Sequence, residues 1–405
     1  MQIRPVLVAL KKHRLATLLI ALEIALACAV LCNAVFMIAG RLAAMRLVSG
    51  VDESSLGFVQ LEGFDPKAAN DLNARVISGL GAIPGVQSVH VINSVPFGPQ
   101  AGAFGVTLDQ AGKEFRGVPE IYLGEPGTPE ALGLKLVAGR MPGAEDYQTI
   151  PEGYFPASSN VLVTRALAER LWLGQDPLGK TFWTGKTQFR VVGVVANLSV
   201  QQYDEEGERG AEWTVFVPAK PGPLLAGTYL IRADPRELNR VMVGAKIALA
   251  KIAPDAVLDH QQSDTLPALR ERFFATDRAM AGLLVGVIAA LLGVTALGIV
   301  GLASFWVAQR RKQIGIRRAI GATRGDILRY FQTENFLIVT LGIAVGMLLA
   351  FVLNAVLMKF YELPHLPLYY LPVGALVLWG LGQLAVLGPA LRAAAVPPVV
   401  ATRSV

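Results

Sequence analysis

Four apolar runs decide what this chain can become. Residues 15–39, 280–306, 335–358 and 371–391 are each long and apolar enough to cross a bilayer as a helix. Inside hydrocarbon the backbone must satisfy its own polar groups, and a helix does so within one segment. With 53% hydrophobic residues and a mean hydropathy of +0.46, the chain exceeds the apolar content of ordinary soluble domains. The net charge of +6 is unevenly spread. Arg4, Lys11, Lys12 and Arg14 precede the first run. Within residues 307–331, after the second run, Arg310, Arg311, Lys312, Arg317, Arg318, Arg324 and Arg329 stand against one acid, Asp326. Arg392 and Arg403 follow the fourth, and the rest of the chain is net acidic. Basic loops stay in the cytoplasm, so both termini are expected inside and residues 40–277 outside. Charge gathered beside apolar runs reads as membrane topology, not as a nucleic-acid surface.

The first run is too long for a cleaved signal peptide and lacks a small-x-small site with a polar continuation. Cys28 and Cys32 sit inside it at a C-x-x-x-C spacing, which reads as small apolar filling and not as a metal or disulfide framework. Glu23 also lies within this run. An ionisable group in a span is a functional candidate by default. Its position about two turns from the basic end equally suits snorkelling, or pairing with a basic residue of a neighbouring helix. Gly282 and Gly286 in the second run, and Gly342 and Gly346 in the third, form G-x-x-x-G pairs suited to close helix packing.

The outer region carries the same pattern at both ends. Residues 58–61 read as a strand, 66–80 as a helix and 86–92 as a strand. Residues 228–232, 235–252 and 256–259 repeat that order. Two such β-α-β units make a split ferredoxin-like domain. A strand-rich insertion, about residues 95–217, separates them, with strands expected at 161–163, 182–183 and 189–195 and a helix at 164–172. Residues 139–159, rich in Gly and Pro, read as loop. Residues 266–277 follow a helical pattern that runs into the second span, so the combined helix should stand above the membrane as a stalk. The fold class is therefore an α-helical membrane protein with four transmembrane helices plus a large α+β extracytoplasmic domain.

Residues 307–331 read VAQRRKQIGIRRAIGATRGDILRYF. Ile314, Ile316, Ala319 and Ile320 form an apolar ridge on a helix whose other face is basic. Gly321 suits a left-handed helix end, and Thr323 with Asp326 has the spacing of a capping box that restarts a helix. Charge and periodicity alone allow two readings: a helix resting on anionic lipid, or a helix gripped by a partner. The string QIGIRRAIGATRGDIL resembles the signature of MacB/FtsX-like ABC transporter permeases, the type VII class. The segment NVLVTRALAERLWLGQDPLGKTFWTGKTQFRVVGVV resembles their MacB-type periplasmic core domain.

The resemblance implies that 307–331 is the coupling helix, with Arg310, Arg311, Gln313, Ile314, Ile316, Arg317, Ala319, Ile320, Thr323 and Asp326 engaging a separate cytoplasmic ATPase. Gln313 stands where the family commonly has Glu. The implied organisation is a cytoplasmic N-terminus (1–14), a first helix (15–39), a periplasmic core domain (40–277) and a second helix with stalk (278–306). The coupling segment (307–331), a third helix (335–358), an outer loop (359–370), a fourth helix (371–391) and a cytoplasmic tail (392–405) follow. The family further implies a bacterial inner-membrane location and a second permease chain, identical or related. A periplasmic adaptor and an outer-membrane channel are also possible partners, alongside membrane lipids. The implied function is ATP-driven export of a substrate such as a peptide, antibiotic or lipophilic molecule. Regulation of cell-wall hydrolases and lipoprotein release are the alternatives within the family.

Gly174 to Thr181, reading GQDPLGKT, satisfies the phosphate-loop pattern letter for letter. A phosphate loop needs a strand before it and a helix after it. Here a helix is expected before and a strand after, and Pro177 removes one amide. We therefore expect a structural turn, no ATPase cassette, no cofactor of the chain's own, and ATP bound by the partner. His13, His90, His260 and His365 show no ligand-like spacing. The topology predicts that cysteines placed at Ser158 and Glu206, in a background lacking Cys28 and Cys32, react with an impermeant thiol reagent in cells with a permeabilised outer membrane. A cysteine at Ser404 should not. The reverse labelling pattern would refute the four-span arrangement.

Overall fold

A computed structural model describes residues 14–150, 155–200, 210, 212–361 and 365–397. Arg4, Lys11, Lys12 and Arg403 lie outside the described residues, as does most of the expected tail. The chain divides into two compact units: Met1–Met45 with Thr276–Val405, and Arg46–Ala275.

The second unit is α+β. Strand β1 (Leu56–Glu62) leads through helix α1 (Ala69–Gly81) to β2 (Val86–Val91). Far along the chain, β3 (Thr228–Ala233) leads through α2 (Leu238–Ile252) to β4 (Val257–Leu258). These strands line up in the order β4-β1-β3-β2, every neighbouring pair antiparallel. Two β-α-β units interleaved in this way give the ferredoxin-like arrangement. Each helix buries one stripe: Ala69, Leu72, Asn73, Val76 and Leu80 on α1, and Leu238, Val241, Met242, Ala245 and Leu249 on α2. Both stripes recur at i, i+3, i+4, i+7 and i+11, which turns one face of each helix to the core. Asn73 is the polar exception. Its amide donates to the Leu225 carbonyl at 3.0 Å and accepts from the Tyr229 hydroxyl at 2.9 Å.

The insertion builds a second sheet. Glu120–Gly124 pairs parallel with Thr214–Lys220, which pairs antiparallel with Ser158–Thr164. Ser158–Thr164 runs parallel to Thr187–Val195, which closes a hairpin with Thr181–Thr184. Phe182 and Phe189, both fully buried, sit 5.3 Å apart in its core. The insertion's last strand extends to Lys220, beyond the expected limit near 217. The segment expected to be loop contains a short strand, Gln148–Thr149, paired with Ala219 and Lys220. Two residues bonded to a partner strand leave too little periodicity to read from sequence.

The stalk expectation needs correction. Helix Leu266–Phe273 ends at Phe274, and the second-span helix, Ala275–Gln309, starts afresh. No Gly or Pro stands at the break, so its cause is tertiary. Phe274 is buried, with its ring 4.8 Å from Phe273 and 5.8 Å from Phe97. Arg270 stacks over Phe97 at 4.9 Å and donates to Glu53 and to the Leu47 carbonyl, both at 2.7 Å. These contacts hold the turn before Phe274 in the α+β unit.

Among the described residues the span unit has four long apolar helices. They are Arg14–Ala44, Ala275–Gln309, Arg324–Tyr361 and Tyr370–Ala394. The third starts eleven residues before its expected apolar run, because Arg324 already continues without interruption into it. Its 38 residues span about 57 Å, longer than a hydrocarbon core of about 30 Å. The first and third helices pack at backbone distance. A Cβ on Gly342 would come within 2.7 Å of the Ile24 Cβ, and one on Gly346 within 2.5 Å of the Cys28 Cβ. The facing residues Ala21, Ile24, Ala25 and Cys28 recur at i, i+3, i+4 and i+7. Buried amides add to this: Asn33 donates to the Ala350 carbonyl at 3.0 Å, and Asn335 to the Gly382 carbonyl at 2.8 Å. Gly282 and Gly286 differ, since beyond the backbone of their own helix and their chain neighbours no described atom lies within 4 Å of a Cβ built on either.

This contrast sets up a paired test. Gly346→Val should destabilise the span unit by about 1–3 kcal/mol, because the backbone on the far side cannot yield. Gly286→Val should change stability by less than about 0.5 kcal/mol. Thermal unfolding of both variants in detergent measures the difference; equal losses would show that the Gly346 contact does not hold these helices together.

Candidate functional site

The basic segment between the second and third spans folds as a separate short helix, Arg311–Ala319. Its end is fixed by backbone geometry. Gly321 adopts φ +107°, and the amides of Ala322 and Gly321 donate to the carbonyls of Arg317 and Arg318 at 3.0 and 3.2 Å. This is a Schellman motif, which needs a left-handed residue where glycine carries no Cβ penalty. The chain then restarts at once. The Asp326 carboxylate accepts from the Thr323 amide at 2.9 Å, and the Asp326 amide donates to the Thr323 hydroxyl at 3.1 Å. Both halves of the capping box are present, and the third-span helix begins there.

The underside of the short helix is fastened to the span unit. Ile314 is buried in a cluster with Val307, Ile327, Phe331, Ala390, Ala393, Ala394 and Val396. Arg318 donates to the Ala394 carbonyl at 2.6 Å, at the C-terminus of the fourth-span helix. A guanidinium there satisfies an orphan carbonyl and opposes the negative end of the helix dipole. Arg317 lies 5.0 Å over the Tyr330 ring.

Arg310 makes the deepest contact. Its guanidinium donates to both carboxylate oxygens of Glu334, at 3.0 and 2.9 Å. The two side chains are 12% and 1% exposed. The same guanidinium stacks over Trp306 at 5.6 Å and reaches the Tyr330 hydroxyl at 3.4 Å. A small cavity of about 20 Å³, lined by Trp306, Phe331, Glu334 and Asn335 among others, adjoins the pair.

The structure therefore splits the sequence-defined ridge. Ile314 and Arg310 point into the chain, while Ile316 and Ile320 are 43% and 82% exposed. Arg311, Gln313, Arg317, Ala319, Thr323 and Asp326 are exposed as well. Ile316 and Ile320 lie four residues apart and share a face with Ala319. That face is a small apolar patch amid basic side chains. Glu334 was the functional-level residue that sequence patterning missed. Its signal was present: a carboxylate at the edge of an apolar run is costly unless paired.

The other candidates lie elsewhere. Glu23 is half-buried on the first span, its carboxylate so near Gly298 of the second that a Cβ there would come within 2.7 Å. Among the described residues it has no ion-pair partner. The phosphate-loop look-alike is a turn between helix Arg165–Leu171 and strand Thr181–Thr184, with Gly174 and Gly179 at positive φ. Lys180 is engaged by the Gln175 side chain and lies 5.7 Å over Trp172. No helix N-terminus follows to receive a phosphate.

The buried pair generates a stability prediction. Arg310→Met strands the Glu334 charge and should cost about 3–5 kcal/mol, whereas Arg310→Met with Glu334→Leu should recover most of that loss. Thermal unfolding of the single and double variants in detergent measures it. A double variant as unstable as the single one would show that packing, not charge, accounts for the loss.

Comparison with known proteins gives this arrangement its context. Residues 17–253 match the MacB-like periplasmic core domain, and residues 285–398 match the FtsX-like permease C-terminal region. Among curated relatives, an uncharacterized ABC transporter permease, YvrN of Bacillus subtilis, is 27% identical over 60% of this chain and 61% of its own length. The macrolide export ATP-binding/permease protein MacB of Bradyrhizobium diazoefficiens is 30% identical over 55% of this chain and 34% of its own. The chain thus spans less than two thirds of either relative. The crystal structure of the periplasmic region of MacB from Actinobacillus actinomycetemcomitans aligns at 14% identity with a TM-score of 0.35, covering 56% of this chain and 95% of that one. The assignment rests on the family matches, which together take in both units: the chain belongs to the MacB/FtsX-like family of ABC transporter permeases.

Proposed function

We propose that this permease couples ATP hydrolysis by a partner ATPase to movement of its extracytoplasmic domain, and that the helix Arg311–Ala319 is the docking element. The observation that carries this reading is the exposed Ile316 and Ile320 patch on a helix whose opposite side is clamped by Ile314, Arg318 and the Arg310–Glu334 pair. An apolar patch that the chain's own fold leaves uncovered suits a groove on another protein. The clamp gives such a partner something rigid to push.

In this reading the basic segment and both termini face the cytoplasm, following the distribution of Lys and Arg. The chain sits in the bacterial inner membrane, and the α+β unit is periplasmic. ATP is bound by a subunit on another polypeptide, and a second permease chain supplies the second docking helix. The substrate is an exported peptide, antibiotic or lipophilic molecule. The names of the MacB relatives support export, and so does the large second sheet inserted into the ferredoxin-like unit. An adaptor and an outer-membrane channel would complete the path.

The docking claim is open to a direct test. Burying a side chain such as Ile is worth roughly 1.5–3 kcal/mol, and a carboxylate in its place adds a desolvation cost. Ile316→Asp should weaken ATPase association at least tenfold while the chain still inserts. Arg311→Ala should matter less, since exposed ion pairs contribute about 0–1 kcal/mol. Co-purification of the ATPase with each variant measures this. Retention by Ile316→Asp at the wild-type level would remove the docking assignment.

A further inference from the structure

The third and fourth spans form a groove on their outward side, close to the basic end. Arg329, Gln332, Thr333 and Phe336 line it from the third-span helix, and Gln383 from the fourth. The four third-span positions fall at i, i+3, i+4 and i+7, one helix face. The groove is open, with a volume of about 450 Å³. We infer that it binds an anionic phospholipid, with the phosphate on Arg329 and the upper acyl chain along Phe336.

Arg329 is exposed, and its guanidinium has no hydrogen-bonded partner among the described residues. Two carboxylates lie nearby in sequence, and both are committed. Asp326 caps the helix through Thr323, and Glu334 is held by Arg310. Asp326 still feels the Arg329 charge, but it does not occupy the groove. The positive end is thus open to an outside anion. Guanidinium groups match phosphate oxygens well in both charge and geometry.

Below Arg329 the lining becomes neutral and polar. The Gln383 amide nitrogen donates to the Gln332 carbonyl at 3.4 Å, and the Thr333 hydroxyl donates to the Arg329 carbonyl at 2.8 Å. These bonds fix both side chains, and the Gln383 amide, which carries two N–H groups, keeps its second one as a donor for a lipid ester carbonyl. Deeper still the lining is aromatic. Phe336 stacks on Trp379 with centroids 5.7 Å apart, and the Trp379 indole donates to the Thr340 hydroxyl at 3.0 Å. Stacked aromatics anchored by a polar tip suit the membrane interface. Seven residues separate Arg329 from Phe336, about 10 Å along the helix. Cation, neutral polar side chains with amide donors, and aromatic slot therefore succeed one another in the order of a phospholipid's own phosphate, glycerol-ester and acyl regions.

Lipid is the occupant favoured by what surrounds the groove. Leu376 and Leu384 on the fourth span are 67% and 70% exposed, and Phe336 is 43% exposed, as expected of a hydrocarbon-facing side. A free phosphate would use Arg329 and leave the aromatic slot empty. A neutral lipid would use the slot and leave the charge unmet. The inference needs only that the chain spans a membrane, so it stands apart from the docking reading.

The test is lipid retention by the purified full chain in detergent, titrated by native mass spectrometry. The probes are phosphatidylglycerol and phosphatidylcholine with identical acyl chains, and inorganic phosphate as competitor. We expect phosphatidylglycerol to bind at least tenfold more tightly than phosphatidylcholine. Arg329→Ala should erase that preference while phosphatidylcholine binding persists, which also reports that the variant is folded. Gln383→Leu should weaken phosphatidylglycerol severalfold, and Arg324→Ala, an exposed arginine outside the groove, should leave it unchanged. Millimolar phosphate should not displace the lipid. Equal binding of the two lipids, an undiminished preference in Arg329→Ala, or displacement by phosphate would each overturn the assignment.

Discussion

The geometry of the basic segment depends on one buried ion pair. Glu334 stands at the edge of an apolar span with 1% of its side chain exposed, and an unpaired carboxylate there would be prohibitive. Arg310 removes that cost by bringing its guanidinium to both oxygens. It can do so only from the end of the second span, where the chain turns between Gln309 and Arg311. The pair therefore ties the exit of one span to the entrance of the next. With that tie fixed, helical periodicity does the rest: Ile314 falls on the buried side and Ile316 and Ile320 on the exposed side. The Schellman turn at Gly321 and the cap at Thr323 then return the chain to the third span within a few residues.

The span unit is held together by another kind of contact. Lipid tails are as apolar as Leu, so burial drives little helix association within a membrane, and close van der Waals packing and hydrogen bonds matter more. The first and third helices meet through glycines on one side and Ala21, Ala25 and Cys28 on the other. Cys28 and Cys32 are free and buried, as small packing residues would be. Asn33 and Asn335 add directional bonds that specify how their helices meet.

Much of this was legible in the sequence, for reasons that differ by element. The spans were readable because length and hydropathy are local properties. The β-α-β repeats were readable because each helix carries an apolar stripe and each strand is a short apolar-rich run bounded by turn residues. The capping box and the glycine helix end were readable because both depend on residues a few positions apart. The inward turn of Arg310 and Ile314 was not, because a basic amphipathic helix looks the same until Glu334, Ala390 and Ala394 are brought beneath it. The break at Phe274 was hidden for a similar reason, since Phe97 lies far away in sequence. The two G-x-x-x-G pairs were indistinguishable as motifs, and only the fold separates the packed pair from the open one.

That last difference bears on how the four helices can act. The third helix packs extensively against the first and fourth, so these three form a stable block. The second helix is joined to it by buried contacts in the half nearest Arg310 and, at its other end, by the ion pair of Asp277 with Arg41 of the first helix. Apart from Ala281, its buried residues are Thr295, Ile299, Ala303, Trp306 and Val307, all in the half nearest Arg310. Its other half, including Gly282 and Gly286, presents apolar surface that its own chain does not cover. Between these two ties the second helix is sparsely packed by its own chain, and sparse packing lowers the cost of local displacement. In the proposed reading a push on Ile316 and Ile320 reaches Arg310 first. From there it divides between Glu334, on the packed block, and the second span, which has less to break in order to move.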